Sequence, residues 1–167
     1  TGANPIVSPT GDQSFFPLLL LRSRLFREYG PKGLREEAER VASPLVVSWH
    51  KGVSAQETAG ETTFRWVSRE GEMMIHNTGK TTRVAEVAFE VETGRDEPST
   101  LEISGALSER LRLGAEPVQI RRVVALAPGG HRLRFRSDAR PLAVPTDPRV
   151  LVFQISGVSV RDASRPP

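Results

Sequence analysis

The stretch HRLRFRS, residues 131–137, alternates the apolar Leu133 and Phe135 with arginines, which predicts a strand with one buried face and one charged face. The same alternation recurs from Thr62 to Asp162 in short runs separated by turn residues. A sheet that is apolar on one face must cover that face with a second layer. We therefore predict a mainly β chain that folds as an antiparallel β-sandwich of the jelly-roll or immunoglobulin-like type.

Nine strands are expected, a count that is typical of a sandwich or jelly roll, and the last of them is open to a break at Gly157. No βαβ alternation is present, which disfavours a nucleotide-binding α/β fold. The predicted strands are Leu45–His50, Thr62–Ser68, Glu72–Asn77, Thr82–Thr93, Thr100–Ser104, Leu107–Leu113, Val118–Leu126, His131–Ser137 and Val150–Val160.

The first 43 residues differ from the rest and are expected to form an arm followed by amphipathic helices. Ser14 and Pro17 favour a helix from about Phe15 to Tyr29, and a second helix is predicted at about Leu34–Ala42. The sandwich would then occupy residues 44–163 and leave a tail at 164–167.

One leucine of the first predicted helix, Leu20, falls among arginines instead of on the apolar stripe. This helix either packs across the sandwich or lies against a membrane surface or a larger protein, and both alternatives stay open. In the second case the expected partner-binding residues are Phe15, Phe16, Leu18, Leu19, Leu20, Arg24 and Arg27.

The net charge of +3 hides an acidic middle and a basic C-terminal third. A basic patch could attract anionic partners such as phosphate or lipid headgroups. We favour the alternative of ion pairs between strands, and nucleic acid is not an expected partner because no aromatic residue lies on the arginine face of the strand at residues 131–137. The expected pairs join Arg132, Arg134 and Arg136 to Glu86, Glu90 and Glu92.

The residues needed for catalysis or metal binding are scarce. The chain has no cysteine, and its three histidines, His50, His76 and His131, are not spaced as metal ligands on one element. No G-x-S-x-G motif is present. We therefore expect no catalytic residue, no metal ligand and no cofactor, and the protein is not expected to be an enzyme.

The sequence Gly79-Lys80-Thr81-Thr82 has the form of the end of a phosphate-binding loop. Met74 stands where that motif needs its first glycine, and a strand pattern follows where a helix should begin. We interpret residues 77–80 as a hairpin turn in which Asn77 and Gly79 supply the unusual backbone angles. A second turn, at residues 147–149, is expected to be architectural, with Asp147 capping it and pairing with Arg149.

The two tryptophans are candidates for stacking against sugar rings. Trp49, with His50 and Arg65, is the proposed glycan-binding group, and the loop of residues 51–61 would form one wall of a shallow site. Trp66 shares a strand face with Phe64, and that face is predicted to be the core.

The order of core and turn residues resembles the accessory β-sandwich domains, similar to jelly-roll carbohydrate-binding modules, of bacterial membrane glycosyltransferases and related envelope proteins. The resemblance covers residues 45–161 and rests on Ser48-Trp49, Phe64-Arg65-Trp66, Met73–Asn77, Pro128–Phe135, Asp147-Pro148-Arg149 and Leu151-Val152-Phe153. It implies a non-catalytic module on the outer face of a bacterial membrane, where such domains contact glycans or neighbouring proteins.

Two functions follow as expectations. The first is an interaction or scaffolding module of a membrane-associated bacterial assembly, whose partner is a membrane protein or a larger protein complex. The alternative is a carbohydrate-binding accessory domain. Thr1 fits a processed protein or a fragment, and the longest apolar run, residues 15–21, is shorter than the roughly 20 residues of a membrane-spanning helix.

Overall fold

The computed structural model describes residues 32–35 and 38–163, and it contains ten strands. Each strand is numbered in chain order. They are β1 Leu45–Trp49, β2 Glu57–Ala59, β3 Thr62–Val67, β4 Glu70–Asn77, β5 Arg83–Glu92, β6 Ser99–Gly105, β7 Glu109–Leu113, β8 Val118–Leu126, β9 Gly129–Ser137 and β10 Phe153–Asp162.

The strands form two five-stranded sheets in which every pairing is antiparallel. The order is β1-β4-β9-β6-β7 in the first sheet and β2-β3-β10-β5-β8 in the second sheet. Strands that follow each other in sequence often lie in different sheets, so the chain crosses repeatedly between the layers. The predicted fold class, a mainly β antiparallel sandwich, is confirmed.

Alternation along the strands places the core between the sheets. In β5, Ala85, Val87, Phe89 and Val91 are buried while the residues between them are not. Phe89 meets Phe135 of β9 edge to face, with ring centroids 5.8 Å apart, so the two sheets contact each other through large side chains.

The predicted strands differ from the observed ones mainly at their ends. β2 was not predicted and lies within the expected loop of residues 51–61. β10 begins at Phe153 instead of Val150, because Leu151 pairs separately with Leu142. The possible break at Gly157 is not observed, because β10 continues through this residue. The register with β5 only shifts between Ser156 and Ser159, as at a β-bulge, and Gly157 has a φ of 59°.

The predicted hairpin turn at residues 77–80 is wrong. β4 belongs to the first sheet and β5 to the second, so the connection crosses between layers, and neither Asn77 nor Gly79 has a positive φ. The buried amide of Asn77 holds the crossing in place: its Nδ2 donates to the carbonyl oxygens of Thr81 and Leu126, and its Oδ1 accepts from Gly79 N–H. The Asn77 side chain therefore makes hydrogen bonds to backbone groups of the connection that a tight turn would have satisfied with backbone bonds.

The chain divides into two units, residues 1–42 and 43–167. In the first unit, residues 32–35 and 38–42 are helical, in agreement with the second predicted helix. The arm, the first helix and the tail lie outside the described residues, and the proposed domain limits stay a prediction. Among the described residues, no helix has the length and apolar character needed to cross a membrane.

Candidate ligand-binding faces

The outer face of the second sheet carries two aromatic side chains. Val67 at the end of β3 is fully buried and pairs with the buried Phe153, so it points into the core. Since side chains alternate along a strand, Trp66 and Phe64 point outward. The prediction that Trp66 belongs to the core is therefore wrong, because Val67 fills the core position and a shift of one residue reverses the faces.

The two outward rings form an edge-to-face pair, with centroids 6.3 Å apart and planes at 89°. Both side chains are half-buried. The register places Gln154 of β10 opposite Trp66 and Glu92 of β5 beyond it, and Ser156 opposite Phe64. We call Phe64, Trp66, Gln154, Ser156 and Glu92 the aromatic face.

A charged group borders the aromatic face on the side of β2. Glu57 lies opposite Phe64, and its Oε1 accepts a hydrogen bond of 2.6 Å from Arg149 Nη1. Arg149 also donates from Nη2 to Asp147 Oδ2 at 2.6 Å and from its backbone N–H to Asp147 Oδ1 at 3.0 Å. The predicted pairing of Asp147 with Arg149 is confirmed, and these bonds lower the pKa of Asp147 to about 2 and raise the pKa of Arg149.

Trp49 occupies a different environment from Trp66. It lies opposite the buried Met73 in the first sheet and packs against the core. The guanidinium of Arg65, from the second sheet, lies over the Trp49 ring with Cζ 5.5 Å from the centroid, and Arg65 Nη1 donates to the Ser54 carbonyl at 2.8 Å. One face of the Trp49 ring is therefore covered by protein.

The structure does not place His50 in the same contact. Its Nε2 lies 3.0 Å from Ser48 Oγ, and the same hydroxyl lies 3.2 Å from His76 Nε2. Trp49 and Arg65 are thus brought together, and His50 is joined to His76 through Ser48. The glycan-binding role of Trp49, His50 and Arg65 stays a prediction.

The predicted partners of the β9 arginines are wrong. Glu86, Glu90 and Glu92 lie on β5 in the second sheet, whereas β9 belongs to the first sheet. The arginines pair instead with β4, the neighbouring strand: Arg132 and Arg134 lie 3.1 and 3.9 Å from Glu72, and Arg136 lies 3.8 Å from Glu70. The expectation of cross-strand pairs holds, but β4 supplies the carboxylates because it is the hydrogen-bonded neighbour of β9.

The predicted partner-binding residues 15–27 lie outside the described residues, so their role stays a prediction. Within residues 32–35 and 38–163, no group of three histidine, cysteine or acidic side chains is arranged to hold a metal ion. Phe64 was not considered as a site residue, and Trp66 was considered for sugar stacking but assigned to the core. The sequence signal that could have identified them is that Trp66 and Val67 are adjacent and both apolar. Since neighbouring residues of a strand face opposite ways, only one of the two can face the core.

No family model and no curated protein matches the chain. Several solved structures are similar, with TM-scores near 0.4. The C-terminal CBM6 of a marine laminarinase from Zobellia galactanivorans is 9% identical (TM-score 0.42), over 71% of this chain and 100% of that one. The CBM22-1 xylan-binding domain from Paenibacillus barcinonensis is 12% identical (TM-score 0.43), and the similarity covers 72% of this chain and 87% of that one. The N-terminal cellulose-binding domain of a Cellulomonas fimi β-1,4-glucanase is 8% identical (TM-score 0.41), and the similarity covers 73% of this chain and 90% of that one. At these TM-scores the similarities carry no argument about a ligand.

Proposed function

We propose that the protein is a non-catalytic carbohydrate-binding domain and that the aromatic face is its binding surface. The observation that carries the proposal is the outward orientation of Phe64 and Trp66, side by side on the outer face of the second sheet. Aromatic side chains of this size usually contribute to the core, and two of them side by side on an outer face support the proposal of an interaction site.

The chemistry of the aromatic face suits a sugar. The C–H groups of a pyranose ring can pack on the Trp66 indole, while Gln154 can both donate and accept hydrogen bonds and Glu92 can accept them from hydroxyl groups. The ion-paired Arg149 and Glu57 stand beside Phe64 and limit the ligand on that side. Apolar stacking combined with a few fixed polar groups is what selective binding of a polyhydroxylated ring requires.

The same argument separates the two tryptophans. The Trp49 ring contacts the Arg65 guanidinium and packs against the core. Among the described residues, the one ring contact of Trp66 is with Phe64. We therefore assign the binding role to Trp66 first. Trp49, together with Arg65, serves in this proposal as a packing group that supports the edge of the sandwich.

The test is affinity electrophoresis of the full chain in gels containing neutral polysaccharides such as xylan, soluble cellulose derivatives and β-glucan. We expect at least one to retard the protein, and we expect Trp66→Ala and Phe64→Ala to abolish the retardation. Trp49→Phe is the matched control and should bind normally. Retardation that survives Trp66→Ala, or no retardation by any polymer, would contradict the proposal.

The cellular setting is a separate part of the proposal. The resemblance to envelope domains supports a position on the outer face of a bacterial membrane, and the apolar residues Phe15 to Leu20 support a contact with a membrane protein or a membrane surface. Sedimentation of the full chain with native membranes tests this. Leu20→Glu should release the protein, whereas Ser23→Glu, on the polar side of the predicted helix, should not.

A further inference from the structure

The outer face of the first sheet contains a charged groove. It consists of two adjoining depressions of about 440 and 360 Å³ that share Glu70, Glu102 and Arg136 as lining residues. It crosses β4, β9, β6 and β7 and lies on the opposite sheet from the aromatic face. We call it the arginine groove.

The floor of the arginine groove is a row of alternating charge. The register places Glu70 opposite Arg136, Arg136 opposite Glu102, and Glu102 opposite Arg110, so the row spans four strands. Its ion pairs are long: Arg136 Nε lies 3.8 Å from Glu70 and Arg110 Nε lies 3.7 Å from Glu102. Exposed pairs at such distances contribute little stability, and their N–H groups remain available to a ligand.

Positive charge exceeds negative charge along the groove. Its lining cations are Lys51, Arg69, Arg110, Arg134 and Arg136. Within the described part of the chain, Lys51 and Arg69 make no ion pair. The lining carboxylates are Glu70, Glu72, Glu102 and Asp138, so the five cations exceed the four carboxylates by one. The free cations therefore favour an anionic ligand.

The groove also distinguishes between classes of polyanion. The outward residues of its floor include no aromatic side chain on which a nucleic acid base could stack. The carboxylates of Glu70 and Glu102 would repel an uninterrupted row of phosphates but can accept hydrogen bonds from hydroxyl groups. A ligand that carries both oxyanions and hydroxyl groups matches both features.

From this we infer that the arginine groove is a second ligand site, which binds a polysaccharide bearing carboxylate or sulfate groups. Arg134 and Arg136 contact the anionic groups, and Glu70 and Glu102 accept bonds from the sugar hydroxyls. This inference does not rest on the aromatic face, because the two surfaces lie on different sheets.

The experiment measures dissociation constants of the full chain for polygalacturonate, dextran sulfate, neutral dextran and a single-stranded oligodeoxynucleotide. We expect binding to the two acidic polysaccharides that weakens with added salt, and weaker binding to the other two. Arg134→Gln combined with Arg136→Gln should raise the dissociation constant about tenfold or more, since it removes the charge-assisted bonds of two exposed arginines. The side chains are 63% and 74% exposed, so the variant should fold normally.

Arg121→Gln is the matched control, because Arg121 is 64% exposed and pairs with Glu86 at 3.4 Å on the second sheet. It should leave the affinity unchanged. The inference is overturned if the double variant binds as the wild type does, if Arg121→Gln weakens binding equally, or if the oligonucleotide binds most tightly. Equal affinity for free galacturonate or sulfate would show a small-anion site instead of a polymer groove. The Trp66→Ala variant should bind the acidic polymers normally, so the two proposals fail separately.

Discussion

Arg65 of β3 lies over the indole ring of Trp49 of β1, with Cζ 5.5 Å from the ring centroid, although the two strands belong to different sheets. The same guanidinium donates to the Ser54 carbonyl at 2.8 Å, so its position is fixed from two sides. A cation held over an aromatic ring is attracted to the ring face. The contact therefore joins the two layers on the side where β1 and β3 lie.

We expect Arg65→Ala to lower the free energy of unfolding by about 2–4 kcal/mol, the sum of a cation–π contact of about 0.5–1 kcal/mol and a charge-assisted hydrogen bond of about 1.5–3 kcal/mol. Arg65→Met should recover only the packing of the aliphatic stem and stay destabilised. Urea denaturation measures the effect. Arg121→Ala, an exposed arginine elsewhere, should change stability by less than about 0.5 kcal/mol. A cost for Arg65→Ala no larger than this would show that the contact is not significant.

The sequence predicts features that depend on neighbouring residues, such as a single strand, better than features that depend on distant residues, such as the order of strands in a sheet. The alternation of Leu133 and Phe135 with arginines identifies a one-sided strand without any tertiary information, and it was correct. The sheet order is non-local: β9 pairs with β4 and β6, and β5 with β10 and β8. The carboxylates that pair with Arg132 and Arg136 could not be chosen from charge alone for this reason.

The sequence also could not predict which aromatic side chains face outward. At residues 64–67 both alternation phases contain large apolar side chains, so periodicity does not show whether Trp66 or Val67 faces the core. Only the pairing of Val67 with the buried Phe153 decides it. Trp49 was proposed as a stacking residue with His50 and Arg65, but the sequence does not show that its ring packs against the core and lies beneath the Arg65 guanidinium.

Asn77 is a buried polar residue whose side-chain hydrogen bonds stabilise the fold. It is 2% exposed, and its amide N–H groups meet two backbone carbonyls. Asn77→Asp would set a carboxylate against those carbonyls, and we expect a loss of about 3 kcal/mol or more at neutral pH. Gln56→Glu makes the same chemical change on an exposed loop side chain and should cost little.

The pH dependence of Asn77→Asp provides a second check. Burial and the facing carbonyls would raise the pKa of the new carboxyl above its unfolded value, so the penalty is complete above the folded-state pKa and falls as pH drops through it. Urea denaturation of the variant and the wild type at several pH values should show their stabilities approaching each other in acid. A penalty independent of pH would contradict the expected hydrogen-bond pattern.

The Asp147–Arg149 pair should have the opposite pH behaviour. The pKa of Asp147 is lowered from 3.8 to about 2, mainly by its hydrogen bonds with Arg149. Its contribution to stability is therefore present above about pH 4 and is lost as the pH falls to about 2. An NMR titration of the Asp147 carboxyl should give a value near 2 in the wild type and near the ordinary value in Arg149→Gln. Arg140→Gln, which removes a cation from a different loop, should leave the titration unchanged.

Gly105 and Gly60 allow the cost of a side chain to be separated from the cost of backbone strain. Both have positive φ values, 108° and 60°. A Cβ at Gly105 would overlap the carbonyl oxygen of Arg132, whereas a Cβ at Gly60 would meet nothing within 4 Å. Gly60→Ala should therefore cost only the left-handed strain, about 1–2 kcal/mol.

Gly105→Ala adds a clash with the neighbouring β9 backbone, which also accepts the Ala106 N–H at 2.9 Å. We expect a total cost of about 2–5 kcal/mol. Urea denaturation of both variants measures the difference. If the two alanine variants unfold at the same urea concentration, the backbones of β6 and β9 do not approach each other closely at Gly105, and the pairing of these strands would have to be reconsidered.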